Sequence, residues 1–163
     1  MVKVTLPIQD QKTLTAAQGY LELAMPREAL AELAGLSDEA ALSHPGLEMR
    51  IVILLKLHRW KTAAACARKL CRLLPEQPAG FIHLAFCLHE LGETAQARDI
   101  LRKAPATVRK DATCCYNLAC YEAVLGELDA ARLHLAQSIS IDKRFRDFAR
   151  TDSDLAPLHK ELQ

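Results

Sequence analysis

Apolar and small residues recur along this chain at helical intervals. From Phe81 to Leu101 they follow the order F-x-x-L-A-x-x-L-x-x-L-G-x-x-x-x-A-x-x-x-L, with Gly92 near the middle. A spacing of three or four residues places such side chains on one face of an α-helix, and an isolated glycine between two such runs marks a turn. This stretch therefore predicts two amphipathic helices joined by a tight turn.

The pattern returns with a fixed period of 34 residues. A column of alanines and a column of leucines both keep this step without an insertion: Ala29, Ala63, Ala97 and Ala131, and Leu23, Leu57, Leu91 and Leu125. Because helices of neighbouring hairpins approach each other most closely where side chains are small, we expect the alanines to be buried. The leucines are expected to fill the space before each turn. The chain is therefore predicted to be a helical repeat protein.

The same periodicity predicts the individual helices. They cover about 10–24, 26–35, 46–58, 61–74, 78–91, 94–104, 111–125 and 128–140, and two short helices follow over about 143–150 and 154–162. Pro26 suits the first turn of a helix, and Pro105 is expected to end the helix before it. Asp154 is the expected N-cap of the last helix. Residues 38–42 leave room for one more helical turn.

Two copies of the unit carry a consensus. The third copy contains Phe81, Leu84, Ala85, Leu88, Ala97 and Leu101, and the fourth contains Cys115, Leu118, Ala119, Gly126, Ala131 and Leu135. This period and pattern resemble the tetratricopeptide repeat. Three columns depart from the pattern: Ala24 and His58 replace the turn glycines, Arg50 replaces a leucine, and Glu122 stands in the column of Tyr20, Leu54 and Leu88.

The resemblance implies an all-α fold, a right-handed α-solenoid of about four helix hairpins with a C-terminal capping helix. The repeats would cover 10–43, 44–77, 78–111 and 112–143, after an N-terminal tail over 1–9 that is expected to be disordered, and before a cap over 144–163. Phe145, Phe148, Leu155 and Leu158 would cover the last apolar face. The segment from Ala149 to Leu158 is similar to the end of many bacterial repeat arrays, which favours a bacterial origin.

Composition excludes several classes of function. The chain has 21 basic and 20 acidic residues, so its net charge near +1 provides no electrostatic footprint for nucleic acid. An uninterrupted apolar run of about 18 residues is absent from the sequence, so no membrane span is expected. Six cysteines without a signal peptide favour a reducing cytoplasm, where cysteine serves as a small apolar residue.

Catalytic and metal-binding motifs are missing. There is no glycine-rich phosphate loop, no G-x-S-x-G, no H-E-x-x-H and no C-x2-C pair. We therefore predict no enzyme activity, no cofactor and no metal. A pair of His83 with Cys87 or Cys120 stays open, so an enzyme or metal-binding protein of unrecognised type is the alternative outside the predicted class.

The resemblance also implies that the first helices of successive repeats line a concave groove that binds a peptide. Carried onto this sequence, the groove residues are Leu21, Val52, Leu55, Lys56, Ile82, Phe86, His89, Glu90, Tyr116 and Cys120. In helix 78–91 the residues Ile82, Phe86 and His89 form a second stripe beside the core stripe, and such a stripe needs a cover. The cover is either a partner, or the curvature of the array and the C-terminal cap.

The predicted function is a non-enzymatic adaptor for a protein or peptide partner. A carboxylate clamp of the kind that some family members use is not expected, because only Asn117 occupies a comparable column and the expected cations are absent. Self-association through the same stripe and a chaperone of bacterial secretion are the alternatives within the class of interaction proteins.

Overall fold

A computed structural model describes residues 6–161 of the chain, and all regular elements in this range are helical. The chain separates into two compact units between Leu74 and Pro75. The expected all-α repeat fold is confirmed. The predicted N-terminal tail covers residues 1–9, of which 1–5 lie outside the described residues. Ile8 and Gln9 belong to the first helix, so the prediction of disorder is wrong for these two residues.

Over its described residues, 6–74, the first unit contains five α-helices. They are α1 (Ile8–Glu22), α2 (Pro26–Glu32), α3 (Asp38–Leu42), α4 (His44–Lys56) and α5 (Trp60–Leu73), with a 3-10 turn over Leu33–Gly35. Helices α1 and α2 pack as one hairpin, and α4 and α5 as the next. Ser37 and Ser43 begin α3 and α4, because their hydroxyl oxygens accept hydrogen bonds from the backbone N–H groups of Ala40 and Gly46.

The second unit continues the pattern and ends differently. It contains α6 (Pro78–Glu90), α7 (Thr94–Lys103), α8 (Ala106–Arg109), α9 (Ala112–Val124), α10 (Leu128–Ile141), α11 (Phe145–Ala149) and a 3-10 helix over Ser153–Glu161. Helix α6 pairs with α7, and α9 with α10. The repeat boundaries stay a prediction, but the helices lie where the periodicity placed them. Helix α8 was not predicted, because Pro105 both ends α7 and precedes a new helical turn.

The alanine column lies in the core. Ala29, Ala63, Ala97 and Ala131 are each 0% exposed, which confirms the expected close approach of the helices. The leucine column behaves differently, since Leu23 is 70% exposed. The prediction that Leu23 fills the space before the turn is therefore wrong. Leu125 is 37% exposed as well, so the prediction is also wrong for this residue, whereas Leu57 and Leu91 are half-buried. All four leucines are the C-caps of their helices, one residue beyond the last helical turn, where a side chain is only partly covered.

The turn between the two helices of each hairpin uses a left-handed residue. Gly92 and Gly126 have φ angles of 81° and 83°, and Ala24 and His58 take 56° and 54° at the matching positions. Glycine adopts this region without a steric penalty, whereas a Cβ there crowds the backbone. The first two turns therefore keep the backbone conformation of the last two at a local cost.

Replacing Ala24 by glycine is expected to raise the free energy of unfolding by about 0.5–1 kcal/mol. Removing the Cβ from the left-handed conformation stabilises the folded state by about 1–2 kcal/mol. The greater conformational freedom of glycine in the unfolded chain offsets about 0.4–1 kcal/mol of this gain. Urea denaturation followed by far-UV circular dichroism measures the change. Gly126→Ala is the reciprocal variant and should be destabilised by a similar amount. A less stable Ala24→Gly variant would contradict the assignment of strain to this turn.

The C-terminal cap is only partly as expected. Leu155 and Leu158 are 0% and 1% exposed, but Phe148 is 57% exposed, so its predicted role in covering the last apolar face is wrong. Helix α11 has five residues, and its buried side chain is Ala149. A helix this short buries one narrow face, and Phe148 lies outside it. Among residues 6–161, no helix combines the length and the apolar character that crossing a bilayer requires.

Candidate functional site

In the first unit, the predicted groove residues form a partly exposed face on α1 and α4. Leu21, Val52 and Leu55 are half-buried and Lys56 is exposed. Leu21 and Lys56 line the same cavity of about 260 Å³, together with Ala24 and Pro26. Val52 and Lys56 are four residues apart on α4, which places them on one side of that helix. We call Leu21, Val52, Leu55 and Lys56 the unit 1 face.

In the second unit, the predicted groove residues fall into two groups. Ile82 and Phe86 on α6 are half-buried, and Glu90 at the end of α6 is exposed. The remaining residues, His89 on α6 and Tyr116 and Cys120 on α9, contact the C-terminal segment. Tyr116 and Cys120 are only 8% and 4% exposed. We call these six residues the unit 2 face.

Asp152, between α11 and the final 3-10 helix, is the centre of the contact with α9. Its Oδ2 accepts a hydrogen bond of 2.7 Å from the Tyr116 hydroxyl and lies 3.7 Å from the Cys120 sulfur, whose thiol donates to it. Its Oδ1 accepts the backbone N–H of Asp154 at 3.0 Å. The ring of Tyr116 also stacks on Phe145, with 4.7 Å between the ring centroids. The carboxylate of Asp152 thus ties the C-terminal segment to α9.

Asp154 contacts α6 instead of capping the last helix. Its Oδ2 lies 3.1 Å from Nε2 of His89, and Nδ1 of the same histidine lies 3.0 Å from the Thr94 hydroxyl. The prediction of Asp154 as N-cap is therefore corrected, because Asp152 makes the capping contact two residues earlier. The C-terminal segment covers the His89, Tyr116 and Cys120 part of the unit 2 face.

The thiols of Cys114 and Cys120 are poor nucleophiles. Burial raises the pKa of Cys114 to about 12. Burial also raises the pKa of Cys120 far above its ordinary value, and the neighbouring Asp152 and Asp154 carboxylates add to the shift. The thiolate is the reactive form of cysteine, and these thiols stay protonated at neutral pH. This argues against Cys120 as the nucleophile of a Cys–His pair.

Cys120, Asp152 and Asp154 are the one group of metal-ligating side chains in residues 6–161. One donor atom from each lies within 4.8 Å of the others. A thiolate and two carboxylates are donors that zinc accepts. In this structure, however, both carboxylates already have polar partners in the protein. Tyr116 and Cys120 donate hydrogen bonds to Asp152, and His89 contacts Asp154. The group therefore fits a hydrogen-bonded contact between segments.

Glu122 is a buried charged residue whose surroundings the sequence did not reveal. It is 0% exposed on α9. Its Oε1 accepts hydrogen bonds from Arg102 Nη2 at 2.7 Å and Nε at 3.2 Å, and its Oε2 lies 2.7 Å from Nδ1 of His134. The only signal in the sequence is that Glu122 breaks a column otherwise held by Tyr20, Leu54 and Leu88.

The charge of Glu122 is maintained by its partners. Burial alone would raise the pKa of its carboxyl group, but the hydrogen bonds from His134 and Arg102 outweigh burial and lower the pKa below its ordinary value. An ionised carboxylate can only accept, so Nδ1 of His134 donates to it. Glu122 therefore holds one arginine and one histidine in fixed orientations.

Comparison with known proteins gives matches in structure only. No protein-family model matches the chain, and no curated protein matches it in sequence. Residues 41 to the end of MamA from Desulfovibrio magneticus RS-1 superpose with a TM-score of 0.74 at 16% identity, covering 97% of this chain and 93% of that one. TTC0263, a thermophilic TPR protein of Thermus thermophilus, gives 0.71 at 20% identity, covering 94% and 82%.

A third structure is YrrB, described as a TPR protein with an unusual peptide-binding site. It gives a TM-score of 0.63 at 15% identity and covers 93% of this chain and 84% of its own. At identities of 15–20% the likeness is one of fold. This chain therefore has the fold of tetratricopeptide-repeat proteins, as the 34-residue period predicts.

Proposed function

We propose that this protein is a non-enzymatic adaptor that binds a peptide, or an extended segment of a partner protein, on the first helices of its hairpins. The proposal rests on the partial exposure of Val52 and Leu55 on α4. Both are apolar and half-buried, and neither belongs to the buried core. The fold supports the same function, since YrrB shares it and is described by its peptide-binding site.

In the first unit, the unit 1 face supplies the apolar contacts of the proposed surface. Fully burying a valine or leucine side chain contributes about 1.5–3 kcal/mol, and each of these side chains is partly buried already, so the gain per residue is smaller. Lys56 is exposed beside the 260 Å³ cavity and selects for an acidic residue in the ligand. In the second unit, Ile82 and Phe86 offer apolar contacts and Glu90 a charge at the helix end.

We also propose that the adaptor works in a reducing compartment such as the cytoplasm. No disulfide joins any of the six cysteines, all of which lie within the described range. Five of them are buried in helices, where they serve as small apolar residues.

Selection from a peptide display library tests the proposed function. Peptides enriched on the native protein are expected to contain apolar residues and an acidic residue. Their dissociation constants, measured by fluorescence anisotropy, should rise at least tenfold in a Val52→Asp, Leu55→Asp variant. The tenfold change corresponds to the loss of about 1.4 kcal/mol of binding free energy.

The matched control is Leu42→Asp, Leu73→Asp, which adds the same two charges to the same unit. Leu42 and Leu73 are 56% and 48% exposed and lie outside the unit 1 face. This variant should bind as the native protein does. Equal loss in both variants, or no enriched peptide, would contradict the proposal. Circular dichroism checks that the variants are folded, and molar mass at micromolar concentration separates peptide binding from self-association.

A further inference from the structure

A second candidate site lies on α7 to α10 of the second unit and goes beyond the proposed peptide binding. A cavity of about 340 Å³ is lined by Arg102, Arg109, Lys110, His134 and Gln137 over an apolar wall that includes Leu118. Three of these side chains are permanent cations. Arg102 lies on α7, whereas Arg109 and Lys110 are adjacent at the end of α8, so the sequence does not group the three cations in one charge run. We call it the cationic cavity.

Arg109 and Lys110 are uncompensated within the described part of the chain. Neither takes part in an ion pair there, and both are exposed. The adjacent Asp111 forms no ion pair with either cation within residues 6–161, and its Oδ1 caps α9 by accepting the N–H groups of Thr113 and Cys114 at 2.8 and 3.0 Å. An anion entering the cavity would therefore find these two charges available.

Glu122 orients two other side chains that line the cavity, those of Arg102 and His134. Arg102 donates Nε and Nη2 to the carboxylate, and His134 donates Nδ1, so each side chain is held in one orientation. Nη1 of Arg102 and Nε2 of His134 have no protein partner among residues 6–161. Burying a carboxylate at a position that is apolar in the other repeats costs free energy. In this structure the Glu122 carboxylate positions the Arg102 and His134 side chains at the cavity.

We propose that the cationic cavity binds a phosphate group. Within residues 6–161, Glu122 is the one carboxylate paired with a lining cation, so the three cations exceed the paired carboxylates by two charges. A phosphate dianion matches these two charges, whereas a carboxylate ligand supplies one. Arginine and lysine are the side chains that most often contact phosphate oxygens, and the Gln137 amide adds a further donor. The volume of the cavity and the Leu118 wall leave room for an organic group on the phosphate.

A titration followed by NMR tests this site on the full chain. The probes are inorganic phosphate, phenyl phosphate and benzoate, each at constant ionic strength set with sodium chloride. The readouts are the side-chain nitrogen resonances of His134 and the backbone amides of residues 102–104 and 106–110. Phosphate and phenyl phosphate are expected to shift these signals saturably, and phenyl phosphate is expected to bind more tightly than inorganic phosphate. Benzoate should bind at least tenfold more weakly than phenyl phosphate.

Two double variants distinguish phosphate binding in the cavity from non-specific electrostatic attraction of phosphate to the protein. Arg109→Gln, Lys110→Gln should weaken phosphate binding at least tenfold. Arg68→Gln, Lys69→Gln removes the same two charges from an adjacent exposed pair on α5 and should change binding less than twofold. Equal weakening by both variants, shifts that never saturate, or benzoate binding as tight as phenyl phosphate would each overturn the proposal. None of these results bears on the unit 1 face, so the two proposals fail independently.

Discussion

Gly46→Ala is expected to lower the free energy of unfolding by about 3 kcal/mol, near the upper end of the usual cost of overpacking. Gly46 is buried in the first turn of α4. A Cβ at this position would meet the Ala40 carbonyl oxygen directly and would lie 3.0 Å from its carbon and 3.2 Å from Cα of Ala41. All three atoms belong to the backbone, so α3 and α4 must move apart to accept the methyl group.

Gly19→Ala is the matched control, and its effect should have the opposite sign. Gly19 lies within α1, and nothing comes within 4 Å of a Cβ added there. Alanine is favoured over glycine in a helix by about 1 kcal/mol, so this variant should be more stable by a similar amount. Both are measured by urea denaturation. A Gly46→Ala variant as stable as Gly19→Ala would show that α3 does not pack against α4 as described.

Asp152→Ala is expected to lower the free energy of unfolding by about 2–4 kcal/mol. The substitution leaves the buried Tyr116 hydroxyl without its acceptor, which costs about 1–3 kcal/mol, and removes the N-cap contact, which costs about 1 kcal/mol. The Cys120 thiol loses its acceptor as well. Detachment of the C-terminal segment should also speed the reaction of Cys120 with a thiol reagent. Urea denaturation and the labelling rate measure the two effects.

Two further variants test the origin of that effect. Asp147→Ala removes a carboxylate on α11 that is 80% exposed and forms an ion pair with the half-exposed Arg150, so its effect should stay within about 0.5 kcal/mol. In a double-mutant cycle, Tyr116→Phe combined with Asp152→Ala should cost less than the sum of the single changes, because no tyrosine hydroxyl is then left without an acceptor. Additive costs and an unchanged labelling rate would show that the Tyr116–Asp152 hydrogen bond does not secure the segment.

The position of the C-terminal segment changes how the unit 2 face is understood. The sequence left open whether a partner or the cap covers the second stripe of α6. In the second unit, Asp152 and Asp154 contact His89, Tyr116 and Cys120, so the cap covers that part. Ile82 and Phe86 remain half-buried. The identity and location of the peptide site stay a proposal, and the unit 1 face is where its test is most direct.

The sequence by itself determined the repeat fold, the paired helices of the hairpins and the turns between them. These features depend on residues close together in the chain. Three- and four-residue spacing defines each helix face, and the step of 34 aligns Ala24 and His58 with Gly92 and Gly126, which share one backbone conformation. The buried alanine column follows from the same alignment, because its members occupy equivalent positions of equivalent hairpins.

Only the tertiary structure decided which side chains meet. Tyr116 and Asp152 are separated by 36 positions, and Arg102 and Glu122 by 20. Neither separation is a multiple of the repeat, so the period carries no information about these pairs. They form because helix packing in the second unit brings polar side chains from different elements into one low-dielectric place, where a buried carboxylate requires partners. The cap contact and the cationic cavity both have this origin.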